Sequence, residues 1–299
     1  MLSLIRISAA ASLILVGIAS APAVIIEGGD GTGNTTAPTD DPGWSNVGVL
    51  NGDSCVYLGN GWVISASHVG LGSVTFGSSS YAAIGSSYTR LYDPSNPSQA
   101  ADLIMFQLQT TPTGLSGLTV SSTEPTAGAQ IDAIGNGLNR ATNETFWDGD
   151  WNVVSGSVLG GYAGYYWGSG ATKRWGTNTL AGRASVDDGS GITESLKTTF
   201  SSGGSDNEMQ AAAGDSGGGV FYKRGSSWEL AGIMLAVDFY SGQPGDTAVF
   251  GNSTYSADLS VYSGEIAQVM SVPEPSILAL ALTGSIAGWF FWRRRTAAR

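Results

Sequence analysis

Short apolar runs of strand length, bounded by glycine, proline, serine or threonine, set the tightest limit on what this chain can fold into. They fall at residues 54–58, 61–65, 73–76, 81–84 and 103–108. After a Pro/Gly/Ser/Thr-rich stretch at 110–128 they resume at 130–134, 151–159, 219–223, 229–238 and 248–250. Regular short strands with turn signals between them predict an all-β sandwich or barrel, and the break near residue 120 predicts two such units. One short helix is expected, at 263–270 (SGEIAQVM), and residues 28–43 (GGDGTGNTTAPTDDPG) read as a flexible lead-in. Composition agrees: 44 glycines and only 12% charged residues argue against coiled coils and helical bundles, and 42% hydrophobic residues argue against general disorder. With Lys+Arg 13 against Asp+Glu 24 there is no basic surface for phosphates, so nucleic acid is not an expected partner.

Both ends read as addresses. Arg6, an apolar run over 7–18 and the small-residue signature Ala21-Pro22-Ala23 predict a signal peptide over residues 1–23, cut by signal peptidase to leave Val24 first. The other end reads Val272-Pro273-Glu274-Pro275-Ser276, then an apolar stretch over 277–292 and Arg293-Arg294-Arg295. Sixteen helical residues reach about 24 Å, a little short of a ~30 Å hydrocarbon core, and the aromatics at 289–292 beside arginines suit an interfacial anchor. This three-part tail resembles the PEP-CTERM sorting signal of Gram-negative bacteria. The resemblance implies recognition by an exosortase, at least transient membrane contact through the C-terminal helix, and a destination at the cell surface, in the matrix or outside the cell. An uncleaved anchor is the alternative. Removing both ends leaves eight basic residues against 24 acidic ones, or 23 where Glu274 leaves with the tail, a net charge of about -16 or -15 in place of -11. Export with a single cysteine, Cys55, means that packing and not disulfides must hold the domain together.

The chemistry gathers at few positions. The sole histidine, His68, ends the apolar run WVISASH, and Ser216 sits in Gly214-Asp215-Ser216-Gly217-Gly218-Gly219. Glycines around a serine allow a tight turn with N–H groups facing a developing oxyanion. The letters also satisfy G-x-S-x-G, but an α/β-hydrolase needs its histidine after the serine, and none follows here. One histidine and one cysteine leave a typical zinc site without ligands, so no metal and no organic cofactor is expected.

The order His, Asp, Ser is that of the chymotrypsin-like arrangement, and the sequence resembles trypsin-like serine peptidases at WVISASH, ADLIMFQL, GDSGG, WELAGIML and YSADLSVYSGEI. The resemblance implies two packed antiparallel β-barrels with a short C-terminal helix: residues 24–120 carrying His68 and Asp102, and residues 121–270 carrying Ser216. The PEP-CTERM segment then occupies 271–299. It also implies a serine endopeptidase acting on polypeptide substrates through an acyl-enzyme. Ser216 is the nucleophile and His68 the general base, and Asp102 orients the imidazole. Asp93 (LYDPSN) is the rival aspartate, in a Pro-rich loop. The N–H groups of Gly214 and Ser216 would form the oxyanion hole. Asp215 is expected to be structural, pairing with a newly freed N-terminal ammonium that Val24 would supply. Val69 stands where the family carries a cysteine after the histidine, so Cys55 is read as a small buried thiol. Six positions before the serine, Gln210 is expected at the floor of the primary specificity pocket, with Leu235 offering backbone to substrate and Val237 narrowing the wall. That set predicts small or medium apolar residues before the cleaved bond and no preference for Lys or Arg. A non-catalytic surface protein of this fold and an esterase are the competing functions. Activity is expected to fall as pH drops through about 6–7.

Overall fold

The computed structural model describes residues 24–271, and in these it is built from antiparallel strands with one α-helix. In the first half, seven strands pair in the order Ser79–Tyr81, Val74–Phe76, Val47–Leu50, Asp53–Gly59, Trp62–Ser65, Asn96–Gln107 and Thr89–Asp93. Asn-Gly turns fix two of its hairpins: Asn51-Gly52 and Asn60-Gly61 all have positive φ (54°, 96°, 50° and 82°), the conformation that matches the twist of the flanking strands. The sheet curls back on itself where Ala83 bridges Leu108, with Ile84 N–H donating to Gln107 O and Gln109 N–H to Ala82 O.

The second half is a closed six-stranded barrel: Arg174–Asp187, Ile192–Thr199, Ser253–Asp258, Ser227–Val237, Gly219–Arg224 and Gln130–Gly135. The all-β class, the barrel and the C-terminal helix match expectation, although the first half closes through a single bridge and not a continuous ladder. A separate five-stranded sheet joins Leu138–Arg140, Thr145–Trp147, Val153–Val154, Tyr162–Ala171 and Thr247–Val249.

Three expectations need correction. The run at 151–159 is mostly not strand: Asp148 Oδ1 accepts the N–H groups of Asp150 and Asn152, Trp151 has φ 64°, and only Val153–Val154 pairs. Polar caps override the apolar pattern there. The helix begins at Leu259 and runs to Ser271, because Asp258 caps it by accepting from the Ser260 N–H and hydroxyl. The lead-in is pinned down: Asn34 donates to Trp175 O and Asn207 Oδ1, Arg174 Nε to Gly33 O, and Trp175 Nε1 to Thr36 O. The expected signal peptide and the membrane segment after residue 271 lie outside the described residues. Among the described residues no helix is long and apolar enough to cross a membrane.

Candidate active site

His68 stands in a one-turn 3₁₀ segment, Ser67–Val69, directly after the buried strand Trp62–Ser65. Its neighbour in the sheet, Asn96–Gln107, carries Asp102 in the middle of a fully buried stretch. The two meet twice: His68 N–H donates to Asp102 Oδ1 at 2.9 Å, and the ring Nδ1 lies 2.6 Å from Asp102 Oδ2. Asp102 is wholly buried, and its own N–H is held by Thr193 Oγ1 at 2.7 Å, a bond from the first half to the second. Burial alone would raise the Asp102 carboxyl, but hydrogen bonds with His68 and Asp188 hold it below the usual range. In return the hydrogen bond to Asp102 raises the His68 pKa against a smaller opposing effect of burial. A ring with Nδ1–H fixed on a carboxylate leaves Nε2 as its basic nitrogen. The rival Asp93 is elsewhere, its Oδ1 accepting from the Ser95 N–H and hydroxyl.

The turn bearing Ser216 is clamped between the two halves. Ser54 N–H donates to Ser216 O, the Ser54 hydroxyl to Gly214 O, and Asn136 N–H to the Ser54 hydroxyl. Gly217 has φ 85°, and a Cβ there would come 2.1 Å from Ser54 O and 2.2 Å from Ser65 Oγ, so only glycine fits between the turn and the strand that leads to His68. Among the described residues Ser216 Oγ makes no hydrogen bond to His68; such bonds commonly tighten only when substrate arrives. The Gly214 N–H is directed at the carboxylate of Asp53, whose pKa is raised chiefly by burial, with His68 and this N–H acting the other way. Asp53 is a residue that the sequence reading missed, since nothing in its local pattern marks it.

Asp215 is buried beneath the turn. Its Oδ1 accepts from Gly137 N–H and its Oδ2 from Ala212 N–H, both at 2.8 Å, and the backbone N–H of the fully buried Val24 is a third donor. Burial nevertheless pushes this carboxyl up to about 7, with Arg174 opposing. Ile25–Ile26 pairs with Met209–Gln210, which brings the N-terminal segment to this place.

A cavity of about 180 Å³ opens beside Ser216, walled by Ala211, Ala212, Ala213, Leu235, Val237 and, at its aromatic side, Trp167 and Phe239. Leu235 and Val237 line this cavity together with Ser216. Gln210 does not line the cavity: it is wholly buried, and neither polar atom of its amide has a partner among the described residues. Cys55 is buried and unpaired, and burial raises its thiol far above the range where it would ionise. The one grouping of three possible metal ligands among the described residues is His68, Asp102 and Asp188, whose ring Nδ1 is already engaged by Asp102.

Comparison with known proteins agrees with this architecture. Mouse neuropsin, described as a serine protease expressed in the limbic system, is similar at 16% identity over 80% of this chain and 99% of that one, with a TM-score of 0.52. The NS6 protease of murine norovirus 1 aligns at 15% identity over 75% and 93% of the two chains, with a TM-score of 0.41. No curated protein matches the chain. Residues 271–295 match the PEP-CTERM protein-sorting motif, which indicates exosortase-dependent export to the surface or outside the cell. The chain thus combines a chymotrypsin-like fold with a PEP-CTERM protein-sorting motif.

Proposed function

We propose that this chain is an exported serine endopeptidase. The observation that carries the reading is the pairing of the sole histidine with a fully buried aspartate, 2.6 Å apart, in a fold whose cavity has Ser216 on its wall. His68 Nε2 takes the Ser216 proton as the hydroxyl attacks the substrate carbonyl, and returns it to the leaving amine. Asp102 keeps the tautomer and stabilises the imidazolium, and water then releases the acyl group by the same route. The Gly214 and Ser216 N–H groups serve the oxyanion that forms on the attacked carbonyl. The cavity's alanines and aromatic side suit a small or medium apolar side chain before the cleaved bond, and its lining carries no carboxylate for Lys or Arg.

Maturation fits the same reading. Signal peptidase cleavage after Ala23 would turn the Val24 amide, already directed at Asp215, into a free ammonium, and so convert a hydrogen bond into a buried ion pair under the nucleophile turn. Exosortase processing at the C-terminal motif would follow, releasing the domain from its membrane segment.

A second reading, a non-catalytic surface protein, is favoured by one observation, that among the described residues Ser216 Oγ makes no hydrogen bond to His68. Peptide turnover separates the two. The wild-type exported form is expected to cleave a peptide library after apolar residues, with Ser216→Ala reducing kcat by about 10⁶. Undiminished cleavage by Ser216→Ala, or none by wild type, contradicts the proposal.

A further inference from the structure

A third carboxylate reaches the His68–Asp102 pair from the other half of the molecule. Asp188 lies in the tight connection between the barrel strands Arg174–Asp187 and Ile192–Thr199. Its Oδ1 is fixed by the N–H groups of Ser190 (2.9 Å) and Gly191 (3.2 Å). Its Oδ2 is left facing His68 Nδ1 at 3.8 Å, and the side chain is only 14% exposed. A ring nitrogen of His68 and one oxygen from each of Asp102 and Asp188 all lie within 4.8 Å of one another. The loop is held against the first half by Arg90, whose guanidinium donates to Ser190 O and to Ala101 O next to Asp102. Gly191 presses so closely on Ala100 O that a Cβ would come within 2.4 Å, so this approach is built into the packing.

We propose that Asp188 is a positioning residue of the catalytic pair, stabilising the imidazolium that His68 becomes at each acyl transfer and strengthening His68 as the base. The inference rests on the peptidase reading and adds to it a residue that acts through His68. Two carboxylates sharing one imidazole repel each other until the ring is protonated, so the second one favours the charged ring. The charged groups facing His68 are Asp102 from its own sheet, Asp188 from the barrel loop and Asp53 from the strand Asp53–Gly59, and all three favour the protonated ring. Facing Asp188 are Asp102 and His68; burial and then Asp102 raise its pKa, and the Ser190 N–H and His68 lower it. Arg90 spends its guanidinium on backbone carbonyls nearby.

The decisive variant is Asp188→Asn, which keeps an Oδ1 for Ser190 and Gly191 but puts a neutral amide where the carboxylate oxygen faces His68. Because His68 is the sole histidine, NMR follows its ring titration without assignment, alongside the pH profile of kcat/KM. In Asp188→Asn both midpoints are expected to move to lower pH by about one unit, with kcat at the plateau down about tenfold and KM unchanged. Asp188→Glu should recover part of both. If Asp188 only holds the loop, Asp188→Asn will match wild type in titration and profile while Asp188→Ala alone loses activity, and the inference is overturned. The ring titration needs no turnover, so an inactive wild type would refute the peptidase reading while Asp188 is still decided by NMR.

Discussion

One imidazole, that of His68, is held by a single buried carboxylate. From a wholly buried position Asp102 receives both the backbone N–H and the ring nitrogen of His68, so substitution Asp102→Asn permits the wrong tautomer. Steady-state kinetics of that variant should give kcat about 10⁴-fold lower with a circular-dichroism spectrum like wild type. The His68 pKa is raised, first by the bond to Asp102, so the neutral base appears only above the ordinary histidine value of 6.5. Activity should therefore rise with pH through a midpoint above 6.5, higher than the sequence alone implies. Linkage has the matching sign: this group's contribution to stability is complete below the unfolded pKa and is lost as pH rises through the folded one. A kcat/KM profile flat down to pH 5 would contradict His68 as base. Much of this was readable from WVISASH and GDSGG, because those letters are local. Asp188 and Asp53 were not, since they reach His68 only through the docking of distant hairpins, and Gln210 shows that counting back from the serine gives a position without giving its surroundings.

Among the elements, the N-terminal strap has the most to reveal. Residues 26–29 have their carbonyls gathered by one buried side chain: Arg140 donates to Ile26 O, Glu27 O, Gly28 O and Gly29 O, and to Ala141 O and Thr142 O, while stacking on Tyr165 at 3.9 Å. Removing it strands these acceptors, so Arg140→Ala should lower stability by about 2–4 kcal/mol in urea unfolding. Activity should fall further than stability does, because the strap delivers Val24 to Asp215. Unchanged unfolding would show that the strap holds without Arg140. Apolar periodicity gave most of the first-half strands, but it missed Arg174–Asp187 and Ile192–Thr199. Those strands alternate small and polar residues such as Gly176, Thr177 and Asn178, which carry little hydrophobic contrast, and their register is set by barrel closure.

For the whole molecule, two halves with separate sheets meet along a seam where every proposed reacting group lies. Thr193 holds Asp102, Ser54 holds the turn of Ser216, and Asp188 crosses to His68, so docking of the halves assembles the site. Cutting at the PEP-CTERM motif would leave this seam untouched and release a strongly acidic, soluble domain. The central claim, that Ser216 is an activated nucleophile, is tested most directly by reacting exported protein that begins at Val24 with a fluorophosphonate and locating the adduct by mass spectrometry. One stoichiometric adduct is expected on Ser216, abolished in Ser216→Ala and slowed in Asp102→Asn. No adduct on a folded protein with Val24 free, or an adduct on another residue, would contradict it.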